Sequence, residues 1–353
     1  MIREQFIEGK NHLMRFIFSP STYKCRCSAT LLATLVLSGC AETQTDATVT
    51  DNNSGANVRL DAVKLALNWY PEAEHGGYYA ADELSIFQDN GLKVELIPGS
   101  PGASRLILQE LAIDRVSFAV SSADQVVEQR ARGLPIVALL APVQQSPRCV
   151  MVHESSGIST LEELSGVELS ISETRPFALW MKHKLPLTDV TIVPFNGLVG
   201  EFLTSPKFAQ QAYVFSEPFI AKEQGSDPVA LMLSDIGYNP YASVLVTSER
   251  MLAEKPDLVR RMQLSCKAGW EAYLKDWKQT NVRLHSENSD MNPAALEYGA
   301  NALSNLCQTA DGQDIGSMTS ARWQQLIDQL EELKVIDAGS VQADACFFEV
   351  QAE

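Results

Sequence analysis

From Val58 onward, short apolar runs alternate with short amphipathic stretches, and this alternation limits the chain to few architectures. Apolar runs at Val63–Trp69, Lys93–Ile97, Val116–Val120, Ile136–Ala141, Cys149–His153, Val167–Ile171, Val190–Pro194, Ala212–Phe215, Val229–Leu233 and Val244–Thr247 read as strands. Helical spacing separates them, as in Tyr78, Tyr79, Leu84 and Phe87, then Ser104–Ile113, Ala123–Ala131, Leu161–Leu164, Phe177–Lys184 and Val199–Leu203. Short strands joined by short helices predict an α/β fold with mainly parallel sheets. After Thr247 the pattern turns helical. Met251–His285, broken at Pro256, is followed by Pro293–Leu306 and Ser320–Leu333.

Two segments join a strand directly to a strand, Ala141–Arg148 and Ser234–Tyr241, each with prolines. If both cross between domains, residues 58–147 and 236–353 form one lobe and 148–235 the other. Two lobes on a two-strand hinge enclose a cleft that can close on a ligand.

The N-terminus reads as a targeting segment, residues 1–39, outside the fold. Ala29–Leu37 is an apolar core too short to span a bilayer. It ends in Leu37-Ser38-Gly39-Cys40, which looks like a bacterial lipobox, with Cys40 as the lipidated residue. Met14 is an alternative start to Met1. Residues 40–57 are polar and read as a flexible tether. The formal charge is −16; residues 1–39 carry a net of +3, which leaves −19 for the remainder. So acidic a chain is a poor partner for nucleic acid or anionic membrane surfaces. Membrane association is expected through the lipid alone. Cys149, Cys266, Cys307 and Cys346 remain in the mature chain, either as buried thiols or as disulfides such as Cys307–Cys346.

No phosphate-binding loop, nucleophile elbow, zinc-protease motif or C-x-x-C stands in the mature chain. His75, His153, His183 and His285 lack metal-ligand spacing, so neither metal nor cofactor is expected. What remains is recognition chemistry. The loop Asn68-Trp69-Tyr70-Pro71-Glu72-Ala73-Glu74-His75-Gly76-Gly77-Tyr78-Tyr79 runs from strand into helix. Such a turn presents backbone N–H groups and side chains to a ligand. Asn68, Trp69, His75, Gly76 and Tyr78 are its candidate contacts, and core packing is the alternative for the aromatics. Glu217 follows a buried-type strand beside Tyr213 and can accept two hydrogen bonds from an amino-substituted ring. Ser121 and Asp124 end a strand and open a helix, as caps or as ligand contacts. Arg148 stands in the proposed hinge, either to hold an anion or to pair with an acid. Tyr238 lies in the second crossing.

These segments together resemble bacterial solute-binding proteins of the sulfonate and thiamine-pyrimidine type, over roughly residues 62–310. The anchors are residues 68–79, Phe87–Val94, Phe118–Gln125, Ser146–Cys149, Gln211–Pro218 and Gly237–Tyr241. The resemblance implies a type II periplasmic binding protein fold with C-terminal helices. It also implies a monomer that hands a small heterocycle to an ABC permease and its ATPase. Within the family an aromatic after the first strand stacks on the pyrimidine and a late Glu bonds its amino group; Trp69 and Glu217 hold the matching places. A sulfonate, another small anion or a flavin is the alternative ligand. The superfamily also includes hydroxymethylpyrimidine phosphate synthases, which use pyridoxal phosphate and iron. This chain lacks their Cys cluster and has no Lys beside His75, so the resemblance implies binding rather than catalysis.

Overall fold

The computed structural model describes residues 60–100, 103–309 and 315–349, without the side chains of residues 104 and 105. All belong to one unit, Ala56–Glu353. The expected signal segment, Cys40 and the tether lie outside the described residues.

The elements follow in chain order. The first half holds β1 (Asp61–Ala66), α1 (Gly76–Glu83), α2 (Ile86–Asp89), β2 (Leu92–Ile97), α3 (Ala103–Ala112), β3 (Phe118–Ser121), α4 (Ala123–Ala131) and β4 (Ile136–Leu140). Then come β5 (Arg148–His153), β6 (Glu168–Ile171), α5 (Pro176–Lys184), β7 (Thr191–Pro194), α6 (Gly200–Thr204), β8 (Phe208–Tyr213), α7 (Glu217–Glu223) and β9 (Pro228–Met232). After β10 (Val244–Ser248) the chain is helical: α8 (Glu249–Glu254), α9 (Pro256–Lys275), α10 (Lys278–Glu287), α11 (Pro293–Leu306), α12 (Ser320–Glu332) and α13 (Ala343–Cys346). Local chemistry sets these late boundaries. Side chains of Ser248, Asn292 and Thr319 accept N–H bonds at the starts of α8, α11 and α12. Pro256 and Pro293 sit in first turns, where a missing N–H costs nothing.

The strands form two five-stranded sheets, ordered β2-β1-β3-β10-β4 and β7-β6-β8-β5-β9. As expected, most strands run parallel: in each sheet four of the five point the same way and one runs against them. β10 runs antiparallel to β3 and β4, and β5 runs antiparallel to β8 and β9. Each is the strand that receives the chain as it crosses between sheets, so it enters from the opposite end. β4 leads into β5 and β9 into β10, and one bridge, Val143 to Ala242, joins the two crossings.

That junction is heavily hydrogen-bonded. Ser146 N–H donates to Asn239 Oδ1 at 2.7 Å and Gln145 Nε2 to Ser234 Oγ at 3.1 Å. Arg322 of α12 donates to the carbonyls of Gln144 and Asn239 and lies 3.9 Å over the Tyr241 ring. Irregular backbone thus finds partners outside any ladder.

Under the first sheet, α1 packs on α9 through Tyr78, Tyr79, Trp270 and Tyr273, all fully buried. The close approach requires glycine. A Cβ on Gly76 would lie 2.2 Å from the Tyr273 ring, and one on Gly77 2.1 Å from Trp270. Cys149, Cys266, Cys307 and Cys346 are buried free thiols rather than disulfides.

Candidate functional site

The loop after β1 leaves the sheet early. Leu67 to Pro71 is irregular, although Leu67 N–H still bonds Ile97 and Gly99 N–H bonds Trp69 O, each at 2.9 Å. Any Cβ on Gly99 would meet the backbone of Leu67–Trp69 at 2.4–2.8 Å, so this glycine lets the loop lie flat on the chain after β2. Trp69 is half-buried there, edge-on to Tyr70 with centroids 5.5 Å apart.

Glu72, Glu74 and His75 turn inward behind it. All three are buried, which the polarity of the loop does not signal. Asn68 bridges two of them: its Nδ2 donates to Glu74 Oε1 at 3.1 Å and its Oδ1 lies 2.9 Å from His75 Nε2. Burial lowers the His75 pKa to about 3, so the ring is neutral. The ring also meets the Tyr70 backbone, which favours its charged form.

The second sheet brings the other wall. Arg148, at the start of β5, is flanked by the Phe177 ring at 4.3 Å and the Tyr213 ring at 5.0 Å, and its Nη2 donates to Tyr213 Oη at 3.0 Å. No carboxylate forms an ion pair with it among the described residues. Burial works against its charge. Tyr213, Asp124, Tyr238 and Glu74 outweigh that and hold the guanidinium above its ordinary range. Glu217 opens α7 and folds back, its Oε2 accepting the Tyr213 N–H at 2.8 Å. Burial raises its pKa, opposed by that N–H and by Arg148.

The acids act on one another. Glu72 is held well above the usual carboxylate range by burial and then by the charges of Glu74 and Glu217, against the Ser216 hydroxyl beside it. Glu74 is pushed up to about 7 by burial, against the Asn68 bond and Arg148.

Asn68, His75, Arg148, Tyr213 and Glu217 therefore share one electrostatic neighbourhood, with Trp69 at its edge. Asp124 and Tyr238 form a second, tied pair: Tyr238 Oη donates to Asp124 Oδ2 at 3.0 Å, and Asp124 Oδ1 accepts from Ser122 Oγ and from the Gln125 N–H. This links the start of α4 to the second crossing. Ser121 Oγ is buried without a hydrogen-bond partner. Tyr78 and Gly76 stand apart. Tyr78 is fully buried against Trp270 and donates to Ser243 O at 2.5 Å, while Gly76 serves the α1–α9 contact. Both pack the α1–α9 interface. Glu72 and Glu74 are the site residues that the pattern of the sequence does not single out.

The chain is similar to known proteins. A family model described as NMT1/THI5 like matches residues 72–279. The formylaminopyrimidine-binding protein of Halalkalibacterium halodurans is 23% identical over 327 residues, 89% of this chain and 96% of that protein. A putative thiamine biosynthesis protein of Haemophilus influenzae is 29% identical over 254 residues, 69% and 75% of the respective chains. Among solved structures, the periplasmic aliphatic sulphonate binding protein SsuA of Escherichia coli is similar with a TM-score of 0.62 at 12% identity. That match covers 83% of this chain and 94% of the other. The fold is that of the type II periplasmic binding proteins, as the resemblance implied.

Proposed function

The chain belongs to the NMT1/THI5-like family, and on that footing we propose that it is a lipid-anchored solute-binding protein that captures a thiamine pyrimidine precursor. What supports this reading is the chemistry of two residues, Glu217 at the start of α7 and Trp69 in the loop after β1. One carboxylate oxygen is fixed by the Tyr213 N–H, which leaves the other for the ring amine, and a half-buried indole stands ready to stack on the ring. Residues 58–147 with 236–353 form one lobe and 148–235 the other. The ligand stabilises the closed state through its contacts with both lobes. The loaded monomer then meets an ABC permease and its ATPase. The protein binds rather than converts its ligand and needs no resident cofactor.

The test is calorimetric titration of the full mature chain with formylamino- and hydroxymethyl-substituted aminopyrimidines. Glu217→Ala should weaken binding by about 1–3 kcal/mol, the cost of losing a buried charge-assisted hydrogen bond. Unchanged affinity would remove Glu217 from the site. A second reading, a sulfonate, other anion or flavin held by Arg148, draws on the guanidinium's lack of a carboxylate partner among the described residues. Affinity for such anions that falls steeply with salt would favour it.

A further inference from the structure

Between α12 and the second crossing, from β9 to β10, lies a cavity of about 200 Å³ that shares no residue with the site above. Pockets for drug-sized ligands run to roughly 300–1,000 Å³, so an occupant of this one is small. Arg322, Gln325 and Gln329 reach it from one face of α12, and Ser234, Gly237 and Asn239 line it from the crossing. No Asp or Glu is among its lining residues. Asp235, next to Ser234 in the chain, is exposed and is not one of them.

Arg322 is partly buried, and among the described residues it forms no ion pair with a carboxylate. Its Nη2 donates to Gln144 O and Asn239 O, and its Nη1 donates to Gln144 Oε1 at 3.3 Å. Burial lowers its pKa, opposed only by Tyr241, whose ring lies 3.9 Å from the guanidinium. Every partner is neutral, so the positive charge stays uncancelled. Further donors stand beside it. Asn239 Oδ1 is taken by the Ser146 N–H, and Ser234 Oγ accepts from Gln145 Nε2. Asn239 Nδ2 and the Ser234 hydroxyl hydrogen are thereby left to donate, and neither has an acceptor among the described residues. Gln325, exposed on α12, makes no side-chain hydrogen bond there either. A cation with spare donors around it and no acid in the lining is complementary to an anion.

We propose that this cavity is a site for a small free oxyanion of the phosphate kind, with Arg322 as its anchor and Ser234, Asn239 and Gln325 as further donors. Arg322 already bonds Gln144 of the first crossing and Asn239 of the second. An ion that fixes this side chain therefore stiffens both crossings at once. The inference does not depend on which ligand the protein captures elsewhere.

The experiment is calorimetric titration of the full mature chain with inorganic phosphate, at constant ionic strength held with chloride. Saturable binding is expected. Gln325→Glu is isosteric and lies at an exposed position outside the Arg322 contacts, so it spares the fold while placing a carboxylate in the lining. Phosphate affinity should then fall at least about tenfold, and Gln325→Lys should raise it. No saturable binding, or binding that both variants leave unchanged, would overturn the site. Glycerol 3-phosphate separates the free ion from a phosphate ester: weaker or equal binding of the ester supports the free ion, and tighter binding overturns that assignment. Hydrogen exchange reads the joint. Amides of residues 144–146 and 237–239 should exchange more slowly with phosphate in the wild type and not in Gln325→Glu. Exchange indifferent to phosphate would overturn the stiffening.

Discussion

Replacing Gly77 by alanine sets two physical effects against each other. Gly77 lies in the first turn of α1, and alanine is the better helix former by about 1 kcal/mol. The added Cβ, however, would sit 2.1, 2.3 and 2.4 Å from three atoms of the Trp270 ring, where ordinary contact begins at 3.4 Å. Trp270 is fully buried and cannot swing aside, and Gly269 beside it already lies against Gly77 O. The helices must part by about 1 Å, and overpacking of that kind costs about 1–3 kcal/mol and occasionally more. Parting them also uncovers Tyr78 and Tyr273, at roughly 1 kcal/mol for each 40 Å² of apolar surface. Packing outweighs propensity, and the net loss should be about 2 kcal/mol. Urea denaturation of the full chain, followed by circular dichroism, measures it. Gly200→Ala is the matched control. Gly200 starts α6, and a Cβ added there would meet nothing within 4 Å, so alanine should be neutral or stabilising by up to about 1 kcal/mol. A Gly77→Ala protein as stable as the wild type, or both variants shifting alike, would refute the close-approach argument.

Buried titratable groups give two further expectations, and the cysteines a third. Glu74, raised from 4.5 to about 7, holds a proton that the unfolded chain releases. Its contribution is therefore present below pH 4.5 and is lost as pH rises toward 7, by on the order of 1–3 kcal/mol. His75, lowered from 6.5 to about 3, acts in the opposite sense: its contribution is present above pH 6.5 and lost as pH falls toward 3. Glu74→Gln removes only the first, so the stability difference between variant and wild type should grow from pH 4.5 to 7 and be flat on either side. A difference independent of pH would refute the assignment. In the native state a thiol reagent should label none of Cys149, Cys266, Cys307 or Cys346, which are buried; burial pushes the Cys346 thiol up to about 12. Labelling at the rate of a free thiol, or a mass deficit of one disulfide, would contradict this.

Most strands are legible in the sequence because buried strands in α/β proteins are continuous apolar runs. Where a run is impure, its bounds are not. β8 begins at Phe208, not Ala212, because Gln210 and Gln211 interrupt its apolar pattern. Gln210 is nonetheless buried, and Gln211 Oε1 accepts the Ser172 N–H at 2.6 Å. β1 stops at Ala66 rather than Trp69, since the chain must turn ahead of Pro71. The helical region breaks a second time between Lys275 and Lys278, where Asp276 is extended. Strand direction is not legible, because periodicity is the same in either orientation. Glu217, Trp69 and Arg148 stand out by their positions at strand ends. Glu72 and Glu74 do not, because acids in a polar loop read as solvated, and only tertiary packing buries them. The packing role of Tyr78 and Gly76 is likewise hidden in the sequence. The glycine pair of α1 faces Gly269-Trp270 of α9, and only the folded chain reveals that close contact.

The placement of β4 has a consequence for the order in which the protein is made. Its neighbours are β10 on one side, at residues 244–248, and the Phe347 bridge on the other, where Phe348 N–H donates to Ala138 O. Both arrive long after residues 136–140 leave the ribosome. Until then an unbroken Ile-Val-Ala-Leu-Leu strand has no native partner on either edge, the kind of segment that aggregates when left waiting. The first sheet is completed by the last part of the chain, so a nascent chain truncated before residue 244 lacks half of its central pairing.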